Sequence, residues 1–149
     1  MKKSKVTKRH DLTWDYFSLW IRHRDNHTCV LCGNSLEDGF IIQAGHVIPR
    51  GVSRITYDER NVYGQCAICN QTHKYYPQYY FKWFIAHYGQ ELFNDFSDKE
   101  KNNAIVKRGV GYYRDIADKY KELLETAELT EYEKVKVTSL EKRYNKLYD

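Results

Sequence analysis

The sequence predicts a mainly α-helical protein with one small β-hairpin near its middle and helices on both sides. Three observations predict it. The chain has four cysteines, and all of them fall into two C-x-x-C pairs, Cys29/Cys32 and Cys66/Cys69. Between the pairs, Gly33-Asn34 and Asp38-Gly39 signal turns, and Phe40-Ile41-Ile42-Gln43-Ala44 reads as a strand ending at Gly45-His46. Outside the pairs, apolar residues recur at helical spacing: Phe17, Trp20 and Ile21 upstream, and Tyr113, Ile116, Ala117, Tyr120, Leu123 and Leu124 downstream.

Two C-x-x-C pairs in one short segment predict a tetrahedral zinc site made of Cys29, Cys32, Cys66 and Cys69. Zinc suits four soft sulfurs at about 2.3 Å, and a two-residue spacer turns both sulfurs of a pair toward one point. The alternative is two disulfides or four unrelated buried thiols. His23 and His27 lie close to Cys29, but with four thiolates at hand they are not needed as ligands.

Composition sets the outer limits. At 149 residues the chain is about one domain's worth, and 42% hydrophobic residues support a packed core. The formal net charge of +4 permits an anionic partner without requiring one. No run approaches about 18 apolar residues, so no transmembrane helix is predicted. A basic N-terminus without an apolar stretch predicts no secretory signal, and cysteines committed to zinc fit a reducing, cytoplasmic setting.

Taken in order, residues 1–10 carry Lys2, Lys3, Lys5, Lys8 and Arg9 without an acid and read as a basic flexible tail, either solubilising or phosphate-contacting. Asp11 or Thr13 caps a helix running to about Asn26. Trp14 and Trp20, at helical spacing, read as core. Pro49 and Gly51 mark an irregular loop after the strand. Residues 61–65 are extended or helical, and a helix follows from Asn70 until Pro77 interrupts it or opens the next one. Residues 60–90 contain no Asp or Glu but hold Arg60, Lys74, Lys82 and nine aromatics. Arg50 and Arg54 extend the basic character. Such a surface suits a phosphate backbone with unstacked bases, although more than half of the rings are expected to face the core. Ser97-Asp98-Lys99-Glu100 reads as a capping box opening a helix that ends near Gly109 or Gly111, and Thr130-Glu131-Tyr132-Glu133 as a second one opening the last helix. Residues 118–149 balance eight acids against seven bases, as in a solvated amphipathic hairpin or coiled coil; the alternative is a homodimerisation element. The resulting division is a tail (1–10), a core with its leading helix (11–95) and a C-terminal helical region (96–149).

The order C-x-x-C, His46, Asn61, C-x-x-C-Asn70 resembles the zinc-stapled HNH (ββα-metal) nucleases. That resemblance implies a zinc-stapled ββα-metal core flanked by N- and C-terminal helices, with the active site away from the zinc. It implies His46 as the general base, which a neutral imidazole suits. Asn70 and His46 are then the metal residues of a catalytic Mg(II) or Mn(II) site, where few protein oxygens suffice. Asn61 joins the catalytic set by holding the loop and orienting His46. Arg50, Arg54, Arg60 and Lys74 are candidates for binding DNA phosphates. Many HNH nucleases carry a metal-binding Asp immediately before the His, where this chain has Gly45; Asp58, Glu59, His73 or a substrate phosphate are candidates to stand in.

A closer resemblance covers roughly residues 28–93. Gln43-Ala44-Gly45-His46, Arg50, Tyr57-Asp58-Glu59-Arg60-Asn61-Val62, Gln65-Cys66-x-x-Cys69-Asn70 and Tyr88-Gly89-Gln90-Glu91 resemble the NinG/Rap family of phage recombination endonucleases, which reads Ala-Gly-His at this point. The resemblance implies a phage or prophage origin and metal-dependent cleavage of branched or single-strand-containing DNA such as Holliday junctions and D-loops. It departs after Asn70, where a Gly-Asn pair and a basic residue are expected and Gln71 to Pro77 stand instead. The competing readings are a non-catalytic zinc-stapled DNA-binding module, a general nicking or restriction-type HNH nuclease, and a zinc-dependent protein-interaction domain.

Overall fold

A computed structural model of the chain describes residues 1–103 and 106–149. It is mainly helical, with a single two-stranded antiparallel sheet among the described residues. Two compact units form: residues 1–23 with 107–149, and residues 24–106. The leading helix thus groups with the C-terminal helices, a different division from the one expected at residues 11–95 and 96–149.

In the first unit, α1 (Lys5–Arg24) begins earlier than Asp11 or Thr13. Ser4 is the reason. Its Oγ accepts from the Thr7 N–H at 3.1 Å, which satisfies one of the unpaired donors of the first turn. Lys5, Lys8 and Arg9 therefore stand on a helix, not in a flexible tail. Asp11 instead pairs with Lys3 at 2.6 Å. Leu12, Tyr16, Phe17 and Ile21 bury one face of α1, and Phe17 meets Tyr120 edge-on with ring centres 5.0 Å apart. Trp14 and Trp20 are half-buried. Tyr120 belongs to α5 (Val110–Thr126), which buries Ala117, Tyr120 and Leu124. The last helix, α6 (Glu131–Tyr148), opens on the expected capping box: Thr130 Oγ1 accepts from Glu133 N–H, and Thr130 N–H donates to the Glu133 carboxylate. Buried Glu133 also pairs with His23 at 2.7 Å.

In the second unit, β1 (Ile42–His46) pairs with β2 (Val62–Cys66) in the register Gln43↔Gln65, Gly45↔Tyr63, His46↔Val62. The strand thus lies two residues beyond the expected Phe40–Ala44. A 3-10 turn (Glu59–Asn61) leads into β2, and Cys66 leads directly into α2 (Ala67–Tyr75). Cys66 sulfur accepts from Cys69 N–H and caps α2, so the helix starts three residues before Asn70. Pro77 sits just outside α3 (Gln78–Tyr88) as its N-cap. The next helix, α4 (Gln90–Lys101), follows Gly89 directly. Ser97 to Glu100 lie inside α4 and open nothing. Phe96 is buried in the core, so the chain continues helically through that tetrad. The end expected near Gly109 or Gly111 does not occur either: residues 106–109 are non-helical and Gly111 lies in α5. Residues 104 and 105, also within that predicted helix, lie outside the described residues. The core gathers Val47, Ile48, Val52 and Ile55 from the loop after β1, Tyr63 from β2, Tyr80 and Phe84 from α3, and Phe96 from α4.

Candidate metal centre and catalytic groove

Cys29 and Cys32 sit in the turn before the hairpin. Val30 N–H donates to the Gly64 carbonyl at 2.9 Å, which ties that turn to the outer edge of β2. Cys66 ends β2, and Cys69 lies in the first turn of α2. The four sulfurs lie within 4.8 Å of one another, and those of Cys32 and Cys66 are 3.7 Å apart. Tetrahedral zinc at about 2.3 Å from each sulfur needs edges of about 3.8 Å, so this donor set could hold a zinc ion. Burial and the neighbouring sulfurs raise the Cys69 thiol well above its ordinary range. Four thiols this close cannot all ionise without a cation between them.

His46 ends β1. Its Nε2 lies 2.9 Å from the Thr56 carbonyl oxygen. A carbonyl only accepts, so Nε2 carries the proton and the lone pair of the neutral ring is on Nδ1. Thr56 is held in turn: its hydroxyl donates to the Arg50 carbonyl at 2.7 Å. Burial, assisted by the charge of Arg50, pushes the imidazole pKa down to about 4. The ring is neutral at cellular pH.

Asn61 is fully buried. Its Oδ1 accepts from Ile48 N–H at 2.8 Å, and its Nδ2 donates to the carbonyls of Ile48 and Ile55 at 3.0 and 3.2 Å. These bonds fasten both ends of the loop that carries Thr56. The Asn61 amide is thus spent on the backbone of that loop. Asn70, on α2, donates from Nδ2 to Gln43 Oε1 at 2.8 Å, and its Oδ1 faces Gly45. Tyr80 anchors the same point from α3 by donating to the Gly45 carbonyl at 2.8 Å.

A groove of about 870 Å³ runs along this edge, lined among others by Gln43, His46, Arg50, Asn70, Lys74 and Glu100. The structure thus brings together His46, Asn70, Arg50 and Lys74. Arg54 is exposed outside the groove. Arg60 is bonded to the Asp58 carboxylate through Nε and Nη2 at 3.0 and 2.7 Å. Asp58 is occupied by that pair and by capping the 3-10 turn, and it does not line the groove. His73 donates to the Val47 carbonyl at 3.2 Å and packs edge-on against Tyr80 and Phe81. Of the nine aromatics in residues 60–90, Tyr63, Tyr80 and Phe84 are buried and Phe81 and Trp83 half-buried, as expected for more than half of them; Tyr75, Tyr76, Tyr79 and Tyr88 are exposed.

Two residues of the site escaped the sequence reading. Thr56 acts through its backbone carbonyl, which leaves no signal in the sequence. Gln65 is fully buried against Gly45, so that a Cβ on Gly45 would stand only 1.8 Å from its Oε1. Its place in the motif Gln65-Cys66-x-x-Cys69-Asn70 is the one hint that the sequence holds.

No curated protein and no solved structure matches the chain. The family model of NinG, described as bacteriophage lambda NinG protein, matches residues 1–131 and so takes in the cysteine quartet, the hairpin and the groove. With that much of its 149 residues matched, the chain belongs to the NinG family.

Proposed function

We propose that this chain is a metal-dependent endonuclease of HNH type, acting on branched DNA in phage recombination. One observation carries the reading: an imidazole with a fixed tautomer, His46, and the amide of Asn70 line a single groove on a strand–strand–helix unit whose far end gathers four cysteines. In this reading zinc is structural. Asn70 Oδ1 would hold a divalent cation, which when bound would stabilise the charge that develops on the leaving oxygen. His46 is the base and not a ligand, because Nε2 is committed to Thr56 and Nδ1 cannot take a proton and hold an ion together. Nδ1 removes a proton from water. The water oxygen bonds to phosphorus as the bond to O3′ breaks, and O3′ leaves with the bonding pair and is protonated from solvent. Arg50 and Lys74 bear on the phosphate oxygens. The exposed Tyr75, Tyr76 and Tyr79, in a segment without acids, favour substrates with unpaired bases.

Gly45 favours a second reading, a zinc-stapled module that binds DNA without cutting it. The two separate on a four-way junction with Mg(II) or Mn(II). Nicking by the wild type that falls by about 100-fold or more in His46→Ala, with junction binding kept, is the expected result. Tight binding without cleavage of any DNA form would leave the second reading in place.

A further inference from the structure

The space beside Gly45 is filled from the neighbouring strand. Gln43 and Gln65 are directly paired across the hairpin, and residue 45 follows 43 on the same face. That face is therefore Gln43, Gly45 and Gln65, and Asn70 of α2 lies over it, bonded to Gln43. A Cβ at residue 45 would stand 1.8 Å from Gln65 Oε1 and 2.8 Å from Asn70 Oδ1. The space that a side chain at 45 would fill is taken by the Gln65 carboxamide, with the Asn70 oxygen against it. The two oxygens are no more than about 4.6 Å apart, the sum of those distances. Oxygens around Mg(II) at about 2.1 Å stand about 3 Å apart when adjacent and about 4.2 Å when opposite.

The Gln65 amide is also an orphan. It is fully buried, and neither Oε1 nor Nε2 has a hydrogen-bond partner among the described residues. Buried carboxamides are almost always bonded. Asn70 commits its Nδ2 to Gln43 and turns Oδ1 toward the same point. Two carboxamide oxygens that converge without a donor between them make a site for a hard cation.

We infer that Gln65 Oε1 and Asn70 Oδ1 together hold the divalent cation, with Gln65 supplying the oxygen that a carboxylate at position 45 would otherwise give. This rests on the nuclease reading above. It also explains Gly45: on this backbone a side chain at 45 and the Gln65 amide exclude each other.

Mn(II) binding to the full-length, zinc-loaded protein, followed by the loss of the free-ion EPR signal without DNA, tests the inference apart from catalysis. Gln65→Met keeps the size and removes the oxygen; its Mn(II) affinity is expected to fall at least about tenfold with zinc content and helicity unchanged. Gln65→Glu is expected to bind Mn(II) more tightly than the wild type. Gly45→Asp alone is expected to bind poorly because it meets Gln65, and Gly45→Asp with Gln65→Ala to recover affinity. The last two variants decide the matter if Gln65→Met does not fold. Wild-type affinity in Gln65→Met, or no recovery in the double variant, overturns the Gln65 assignment while a cutting, Mn(II)-binding wild type keeps the nuclease reading. A wild type that binds no Mn(II) and cuts no DNA overturns both.

Discussion

The Thr56 carbonyl does two things for His46 at once. It fixes which ring nitrogen carries the proton, and it holds the ring where burial keeps it neutral. A consequence for stability follows. An unfolded imidazole titrates near pH 6.5, whereas burial pushes the folded ring down to about 4. Between those values the unfolded chain binds the extra proton, so stability rises with pH across that window. The contribution of His46 is present in full above the upper value and is lost as the pH falls toward the lower one. Burial lowers His73 in the same direction, so His46 accounts for part of the effect. Urea midpoints of wild type and His46→Gln, compared at about pH 7.5 and about pH 5, should show the smaller drop in the variant, which cannot take up that proton on unfolding. An equal drop in both would mean that the ring is not held neutral in the folded state.

Elements were legible where their signal is local, and illegible where packing overrides it. The cysteine pairs, His46, Asn70 and the Thr130 capping box are short patterns whose chemistry stands in the residues themselves. Strand β2 could not be assigned because all five of its residues are buried, so the alternation that marks a strand is missing. The Ser97 tetrad matched the capping-box pattern, yet Phe96 beside it is buried in the core, and tertiary burial outweighed a four-residue signal. The setting of Gln65 is not legible in the sequence, because Gly45 and Asn70 meet it only through the hairpin register and the α2 crossing. That same junction is where metal removal should act. Cys66 joins β2 to α2 and is buried with Cys29 and Ile42 in a small apolar cluster, which the four sulfurs extend. One zinc per chain is expected by elemental analysis. Removing it with a chelator should lower the thermal midpoint reported by Trp83, which packs against Tyr63 of β2, by at least about 10 °C. An unchanged midpoint, or purified protein without zinc, would mean that the quartet is not a metal site.

Over the whole molecule the net charge of +4 is modest, but it is gathered in places. In the unit of residues 24–106, Arg50 and Lys74 line the groove of His46. In the other unit, Lys3, Lys5, Lys8, Arg143 and Lys146 line a hollow beside α1 and α6 with Asp11 as its lone acid. Lys3 and Arg143 are paired with Asp11 and Asp15, whereas Lys5, Lys8 and Lys146 form no ion pair among the described residues. Cations placed on a helix, unlike those on a loose tail, pay little ordering entropy when they meet phosphate, and each phosphate neutralised releases condensed counterions. Deleting residues 1–10 would remove the Ser4 cap and the first turns of α1, so charge reversal is the cleaner experiment. Lys5→Glu with Lys8→Glu should weaken junction binding and reduce the slope of log affinity against log salt by about 1.8, at roughly 0.9 for each phosphate that is no longer neutralised. Cleavage at saturating DNA should not change, since neither lysine lines the His46 groove. Arg50→Ala should lower both. An unaltered salt slope in the double lysine variant would confine DNA binding to residues other than these two and make the basic hollow beside α1 a solubilising surface.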